Sequence, residues 1–102
     1  MPRALRPAER VLVERLAAVA RVSVPPDAEV VEFDEHGCLQ FLGGEGEHGL
    51  AAEFEAIDVD GRVIEVLLFV SAKGRLSQLE FNPYDDRRVG NRLESLEWTA
   101  PA

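Results

Sequence analysis

The residues best suited to catalysis or metal binding are one cysteine and two histidines. His36 and Cys38 lie beside acidic residues, and His48 lies in a glycine-rich segment. Imidazole and thiolate groups bind metals and take part in acid–base and nucleophilic catalysis. A predicted strand of about five residues separates the histidines and spans about 17 Å, so we expect them at opposite ends of a sheet. The sequence therefore predicts no metal site and no catalytic residue.

Two further motifs resemble ligand-binding loops but lack the residues that complete them. The motif Asp58-Val59-Asp60-Gly61 resembles the start of a calcium loop, but its twelfth position is Phe69, where that loop requires a glutamate. The glycine-rich segment 43–49 lacks the lysine and the hydroxyl residue of a phosphate-binding loop. No serine lies in a strand–turn–helix elbow. We therefore expect no cofactor and favour a non-enzymatic function, with a hydrolytic enzyme as the weaker alternative.

Acidic residues dominate the middle of the chain. The formal net charge of the protein is −8 at pH 7. Residues 1–21 carry five arginines and two glutamates, whereas residues 27–60 contain eleven acidic residues and no lysine or arginine. Such a field repels nucleic acid and anionic membranes and attracts basic proteins. We therefore predict a basic protein partner and no direct contact with nucleic acid.

Five glutamates are the candidate partner-binding residues. Alternation in the segment 29–34 predicts that Val31 and Phe33 face the core and that Glu32 faces outward. The same argument places the two glutamates of the segment 50–59 outward, and two more lie in the glycine-rich loop. The candidate set is therefore Glu32, Glu45, Glu47, Glu53 and Glu55.

Hydrophobic periodicity predicts one helix followed by several strands. Ala8, Leu12, Leu16 and Val19 share one face of a helix over about residues 7–20. The predicted fold class is α+β, with this N-terminal amphipathic helix packed on an antiparallel meander of about five strands. The strands lie at about residues 29–34, 38–42, 50–59, 62–70 and 75–81, and residues 84–98 form a C-terminal cover.

The segment 58–81 organises the predicted sheet as one β-hairpin. Residues 63–70 are almost continuously apolar, which predicts a central strand. Gly61 and Gly74 provide the positive φ that tight turns need. An open sheet also has unpaired edges, and these leave self-association as a homodimer, or binding of a small ligand, as the alternative function.

Length and composition are those of a single globular domain covering residues 1–102. The 102 residues are 46% hydrophobic and 29% charged. No segment approaches the ~18 apolar residues of a membrane span, and charged residues interrupt the N-terminal helix too often for a secretory signal. A single cysteine excludes an internal disulfide. These features predict a cytoplasmic protein without membrane contact.

Three motifs carry a resemblance to a known family. They are the N-terminal LRPAERVLVERLA, the Asp-x-Asp-Gly hairpin at 58–61, and the pattern formed by Gly74, Leu76, Leu79 and Glu80. They resemble a bacterial family of small domains of unknown function that begin with an Arg-Pro-led helix. The resemblance covers most of the chain and implies no catalytic residue. Because these domains are similar in size and acidity to immunity proteins, it implies an inhibitor of a basic toxin or nuclease.

Overall fold

The structure is a computed structural model that describes residues 1–34, 37–57, 61, 63–83 and 97–98. No helix in this described part of the chain is long and apolar enough to cross a membrane. Along the chain the elements are β1 (Arg3–Ala4), α1 (Pro7–Ala20), β2 (Glu29–Glu32), β3 (Leu39–Phe41), β4 (His48–Ile57), β5 (Val63–Ser71), β6 (Leu76–Pro83) and β7 (Glu97–Trp98).

Local chemistry sets both ends of α1, which spans the residues that the sequence predicts. Pro7 occupies the first helical position, where its fixed φ suits a helix and its missing N–H costs nothing. The carboxylate of Glu9 accepts a hydrogen bond of 2.8 Å from the backbone N–H of Arg6. At the other end, Arg21 adopts the left-handed conformation at φ 59°. A Schellman motif therefore closes the helix without the usual glycine.

The buried face of α1 is formed by Leu12, Val13, Leu16 and Ala17. The predicted stripe is right at Leu12 and Leu16 but wrong at Val19, which is 48% exposed. Glu9 lies on the same buried face at 2% exposure. The face that meets the sheet therefore runs through positions 9, 12, 13, 16 and 17. Val19 lies outside this face and points toward solvent.

The sheet is antiparallel, and the predicted α+β class is confirmed. Across the described residues its strand order is β1-β2-β3-β6-β5-β4-β7. The predicted meander is wrong, because β3 pairs with β6 and not with β4. There are also more strands than the predicted five or so, since the two-residue strands β1 and β7 extend the two edges. The strand β5 lies between β4 and β6, an interior position as expected.

The strand order includes a close backbone approach at Gly44. The loop after β3 crosses the end of β6 on the helix side, where the hydroxyl of the fully buried Ser77 donates a hydrogen bond of 2.7 Å to the Gly44 carbonyl. A Cβ on Gly44 would lie 1.9 Å from the carbonyl oxygen of Leu76. The chain then passes the β5–β6 turn, where Ala72 N–H donates to the Glu47 carbonyl, and enters β4 on the far side.

The hydrophobic core lies between α1 and one face of the sheet. One row across the sheet consists of Ala52, Leu68, Leu79 and Leu39, which are direct neighbours on four adjacent strands. These four side chains are between 0% and 7% exposed. Because successive residues of a strand alternate between faces, the residues between them lie on the opposite, outer face of the sheet.

Some predictions fall on residues that the structure does not describe. These are the turn at Asp58-Val59-Asp60, the histidine His36, and the segment 84–96 of the predicted C-terminal cover. The end of that cover is described as β7, whose residues pair with Ala56 and Ile57 of β4.

Replacing Gly44 with alanine should destabilise the protein by about 2 kcal/mol or more, because the new methyl group meets fixed backbone of β6. Gly49→Ala is the matched control, since a Cβ there meets nothing within 4 Å and its φ is not positive. Urea unfolding of both variants measures the difference. Equal stability of the two variants would contradict the crossing described here.

Candidate functional site

The outer face of the sheet carries four glutamates on three adjacent strands. In one row Glu53, Leu67 and Glu80 are direct neighbours, and in the next row Glu55 lies opposite Glu65. Adjacent strands are about 4.8 Å apart, so the three strands that carry these carboxylates span about 10 Å across the sheet. We call this surface the acidic face and define it by Glu53, Glu55, Glu65 and Glu80.

None of these four glutamates forms an ion pair with any described residue. Glu53 and Glu55 are exposed, and Glu65 and Glu80 are half-buried. Glu65 accepts a hydrogen bond of 3.0 Å from the side chain of Asn82, a neutral partner. Like charges directly opposite each other on neighbouring strands destabilise a sheet, so the pairing of Glu55 with Glu65 works against folding.

Apolar side chains lie among these charges. Leu67 stands between Glu53 and Glu80, and the half-buried Val63 and Phe69 lie on the same strand and face as Leu67. A shallow depression of about 250 Å³ is lined by three of the four glutamates and by Phe54, whose side chain faces the core on the other side of β4. An apolar centre with a charged margin is the usual composition of a protein–protein interface.

The structure divides the predicted partner-binding residues into three groups. Glu53 and Glu55 lie on the acidic face, as their alternation predicts. Glu45 and Glu47 lie on the loop that crosses the end of the sheet on the helix side, and the Glu45 carboxylate accepts a hydrogen bond of 2.9 Å from Gly43 N–H. Glu32 lies elsewhere.

The outward position predicted for Glu32 is wrong. Its neighbour across the sheet is the fully buried Leu39, so Glu32 points to the helix side, and Phe33, predicted to face the core, is 47% exposed. The core residue in this strand is Val30, at 0% exposure. The Glu32 carboxylate is stabilised on this side of the sheet by ion pairs with Arg3 and Arg6, at 3.0 and 3.6 Å.

An arginine–glutamate cluster ties the N-terminal segment to the sheet. Both terminal nitrogens of Arg3 contact the carboxylate of the buried Glu9, at 2.8 and 2.9 Å. Burial alone would raise the pKa of Glu9, but hydrogen bonds from the Arg3 side chain and the Arg6 N–H outweigh it, so the pKa lies below its usual value. Its neighbours hold this carboxylate charged, and the cluster is structural.

Cys38 is a buried structural thiol. Its sulfur accepts a hydrogen bond of 3.2 Å from Phe81 N–H and lies 3.6 Å from the Phe81 carbonyl, where the β3–β6 ladder ends. Burial raises the pKa of this thiol to about 12. His48 begins β4 opposite Ser71, at the other end of the sheet, and packs edge-on against Phe69 at 5.1 Å. The described chain therefore does not bring Cys38 and His48 together.

Sequence reasoning missed Glu65 and Glu80. Glu65 interrupts the apolar run of β5, and Glu80 alternates with the buried Leu79 and Phe81. Their alternation with buried residues was visible in the sequence. Only the pairing of β4, β5 and β6 shows that they share a face with Glu53 and Glu55.

Glu9→Gln should lower the free energy of unfolding at neutral pH by about 2 kcal/mol, because it leaves the Arg3 guanidinium without its buried partner. The folded-state pKa is depressed, so the stabilisation is present above the usual value of 4.5 and is lost as pH falls through the lower folded-state value. The variant should approach wild-type stability in acid. Glu14→Gln, at an exposed carboxylate 3.5 Å from Arg10, is the control and should change little.

The Cys38 thiol should react with a thiol reagent at pH 8 only as fast as the protein unfolds, since burial raises its pKa to about 12. The reaction rate, measured against denaturant concentration, should follow the unfolding rate. Rapid labelling of the native protein would show that the thiol is accessible.

Within the described residues, no group of three or more histidine, cysteine, aspartate or glutamate side chains is arranged to hold a metal ion. Comparisons of the chain with protein-family models, with curated proteins and with solved structures found no match. The family resemblance stays a prediction from the sequence motifs.

Proposed function

We propose that this protein is a non-enzymatic binding module whose acidic face binds a basic protein, in the manner of an immunity-type inhibitor of a toxin or nuclease. The proposed binding residues are Glu53, Glu55, Glu65 and Glu80. Glu32 is left out because arginines hold it on the helix side, and Glu45 and Glu47 are left out because their loop crosses there as well.

The observation that carries this proposal is the direct opposition of Glu55 and Glu65. If these charges served only solubility, they would be equally effective apart from one another, where they would not repel. A basic partner removes the repulsion when it binds. The repulsion that destabilises the free protein is then absent from the complex. The acidic face therefore favours a positively charged surface over a neutral or negative one.

The geometry of the acidic face suits arginine and lysine side chains around a small apolar contact. A guanidinium group bridging Glu55 and Glu65 would form charge-assisted hydrogen bonds to both carboxylates. An apolar partner residue would meet Leu67 between Glu53 and Glu80. A nucleic-acid-binding groove offers this combination, because it presents closely spaced cations to phosphates.

Electrostatic steering follows from the same charges. Complementary fields accelerate association, and the effect weakens as salt screens it. The same field repels nucleic acid, so the protein would occupy a nuclease groove without binding the substrate of the nuclease.

The experiment is affinity capture from the host lysate at low salt, elution with a salt gradient, and identification of the bound proteins. Wild type should capture a basic protein that elutes in a narrow salt window. A variant with Glu53, Glu55, Glu65 and Glu80 changed to glutamine should lose it.

The matched control neutralises four exposed carboxylates outside the acidic face, with Glu14→Gln, Asp27→Asn, Glu29→Gln and Glu47→Gln in one chain. Its net charge changes by the same amount, so it should retain the partner. Equal capture by wild type and both variants, or equal loss in both variants, would contradict a binding surface on the acidic face.

Self-association through this surface is disfavoured by the same charges. Two copies packed face to face would oppose two sets of four glutamates, and like charges across an interface disfavour the contact. We therefore propose a different, basic partner rather than a second copy of this chain.

A further inference from the structure

A second candidate binding site lies at the end of the sheet, on the helix side, away from the acidic face. It is a cavity of about 710 Å³, within the range of small-molecule sites. Its walls come from three segments: residues 21–29 from the end of α1 to the start of β2, residues 41–43 at the end of β3, and residues 74–76 from the β5–β6 turn to the start of β6. All of these residues are described by the structure.

The cavity combines an apolar floor with charges of both signs. Phe41 and Leu76 are 2% and 5% exposed, and Leu42, at 44%, remains accessible beside them. Arg21 and Arg75 line the cavity, and so do Asp27 and Glu29. Neither arginine side chain forms an ion pair or hydrogen bond with a described residue. The guanidinium group of Arg75 lies over Gly43, with Nη1 3.9 Å from the position that a Cβ of Gly43 would occupy. Two guanidinium groups therefore remain available at this cavity.

Arg21 also occupies a strained backbone position. It is the one described residue other than glycine with a positive φ, at 59°. Glycine is the usual residue at this point of a Schellman motif, because a side chain makes the left-handed conformation unfavourable. Strained residues concentrate at binding and catalytic sites, where their side chains are needed. Arg21 therefore combines an unfavourable backbone conformation with a position that lines the cavity.

We propose that this cavity binds a zwitterionic, dipeptide-sized ligand with apolar side chains. Arg21 and Arg75 hold the carboxylate of the ligand, since guanidinium groups match carboxylate geometry. Asp27 and Glu29 hold its ammonium group. The side chains of the ligand pack on Phe41, Leu42 and Leu76. A ligand with only one charge would contact either the two guanidinium groups or the two carboxylates, and would gain only one of the two sets of interactions.

The test is a titration of the full chain with leucyl-leucine. Isothermal titration calorimetry measures the affinity, and the changes in amide chemical shifts locate the binding site. A ligand of this size should bind with a Kd of about 0.1–1 mM. The shift changes should centre on residues 21–29, 41–43 and 74–76. N-acetyl-leucyl-leucine and leucyl-leucinamide each lack one charge and should bind at least about tenfold more weakly.

Two variants separate binding from folding. Arg75→Gln should weaken leucyl-leucine binding about tenfold or more. Arg21→Gly should weaken it by a similar factor while the melting temperature stays the same or rises, because glycine relieves the left-handed strain. Arg15→Gln, at an exposed helix position that does not line the cavity, is the control and should bind like wild type.

Three results would overturn the proposal. They are no saturable binding at about ten times the expected Kd, shift changes centred outside the cavity, and unchanged affinity in both Arg21→Gly and Arg75→Gln. Equal binding of either singly charged derivative would also overturn the zwitterionic assignment. None of these results bears on the acidic face, whose glutamates do not line this cavity.

Discussion

The architecture depends on the close backbone contact between Gly44 and the start of β6. At this point the chain passes so near to the Leu76 carbonyl that no side chain fits, and the Ser77 hydroxyl holds the crossing segment in place. The crossing separates β3 from β4 and puts β6 between β3 and β5. As a result β4 lies toward one side of the sheet, between β5 and β7, and carries Glu53 and Glu55 on the outer face.

Charge is distributed very differently on the two sides of the sheet. On the helix side, Glu9 and Glu32 are neutralised by Arg3 and Arg6, and the ion pairs fix β1 and the start of α1 against β2. On the outer side, the described residues provide no cation for the acidic face. Ion pairs thus stabilise the fold on one side, whereas like charges oppose each other on the other side.

Local signals in the sequence predicted the elements, but not the way in which they pair. The helix bounds follow from Pro7 and the amphipathic pattern, and the outward position of Glu53 and Glu55 follows from alternation with buried Ala52 and Phe54. Strand order is a non-local property. The sequence does not show that Gly44 contacts the backbone of Leu76, where no side chain would fit.

The position of Glu32 could not be predicted for a related reason. Val30 and Val31 are both apolar, so alternation alone does not say which of them faces the core. On the helix side Glu32 pairs with Arg3, which lies far away in sequence, so no local pattern shows this contact. The acidic face was likewise only half visible, because Glu65 and Glu80 join Glu53 and Glu55 through strand pairing.

The central claim is that the acidic face reduces the stability of the free protein and is retained for binding. The most direct test is the free energy of unfolding of the variant with Glu53, Glu55, Glu65 and Glu80 changed to glutamine, compared with wild type at low and high salt. The variant should be more stable than wild type by about 1 kcal/mol at low salt, and the difference should shrink as salt screens the repulsion. A variant less stable than wild type at low salt would contradict the account, since these carboxylates would then support the fold.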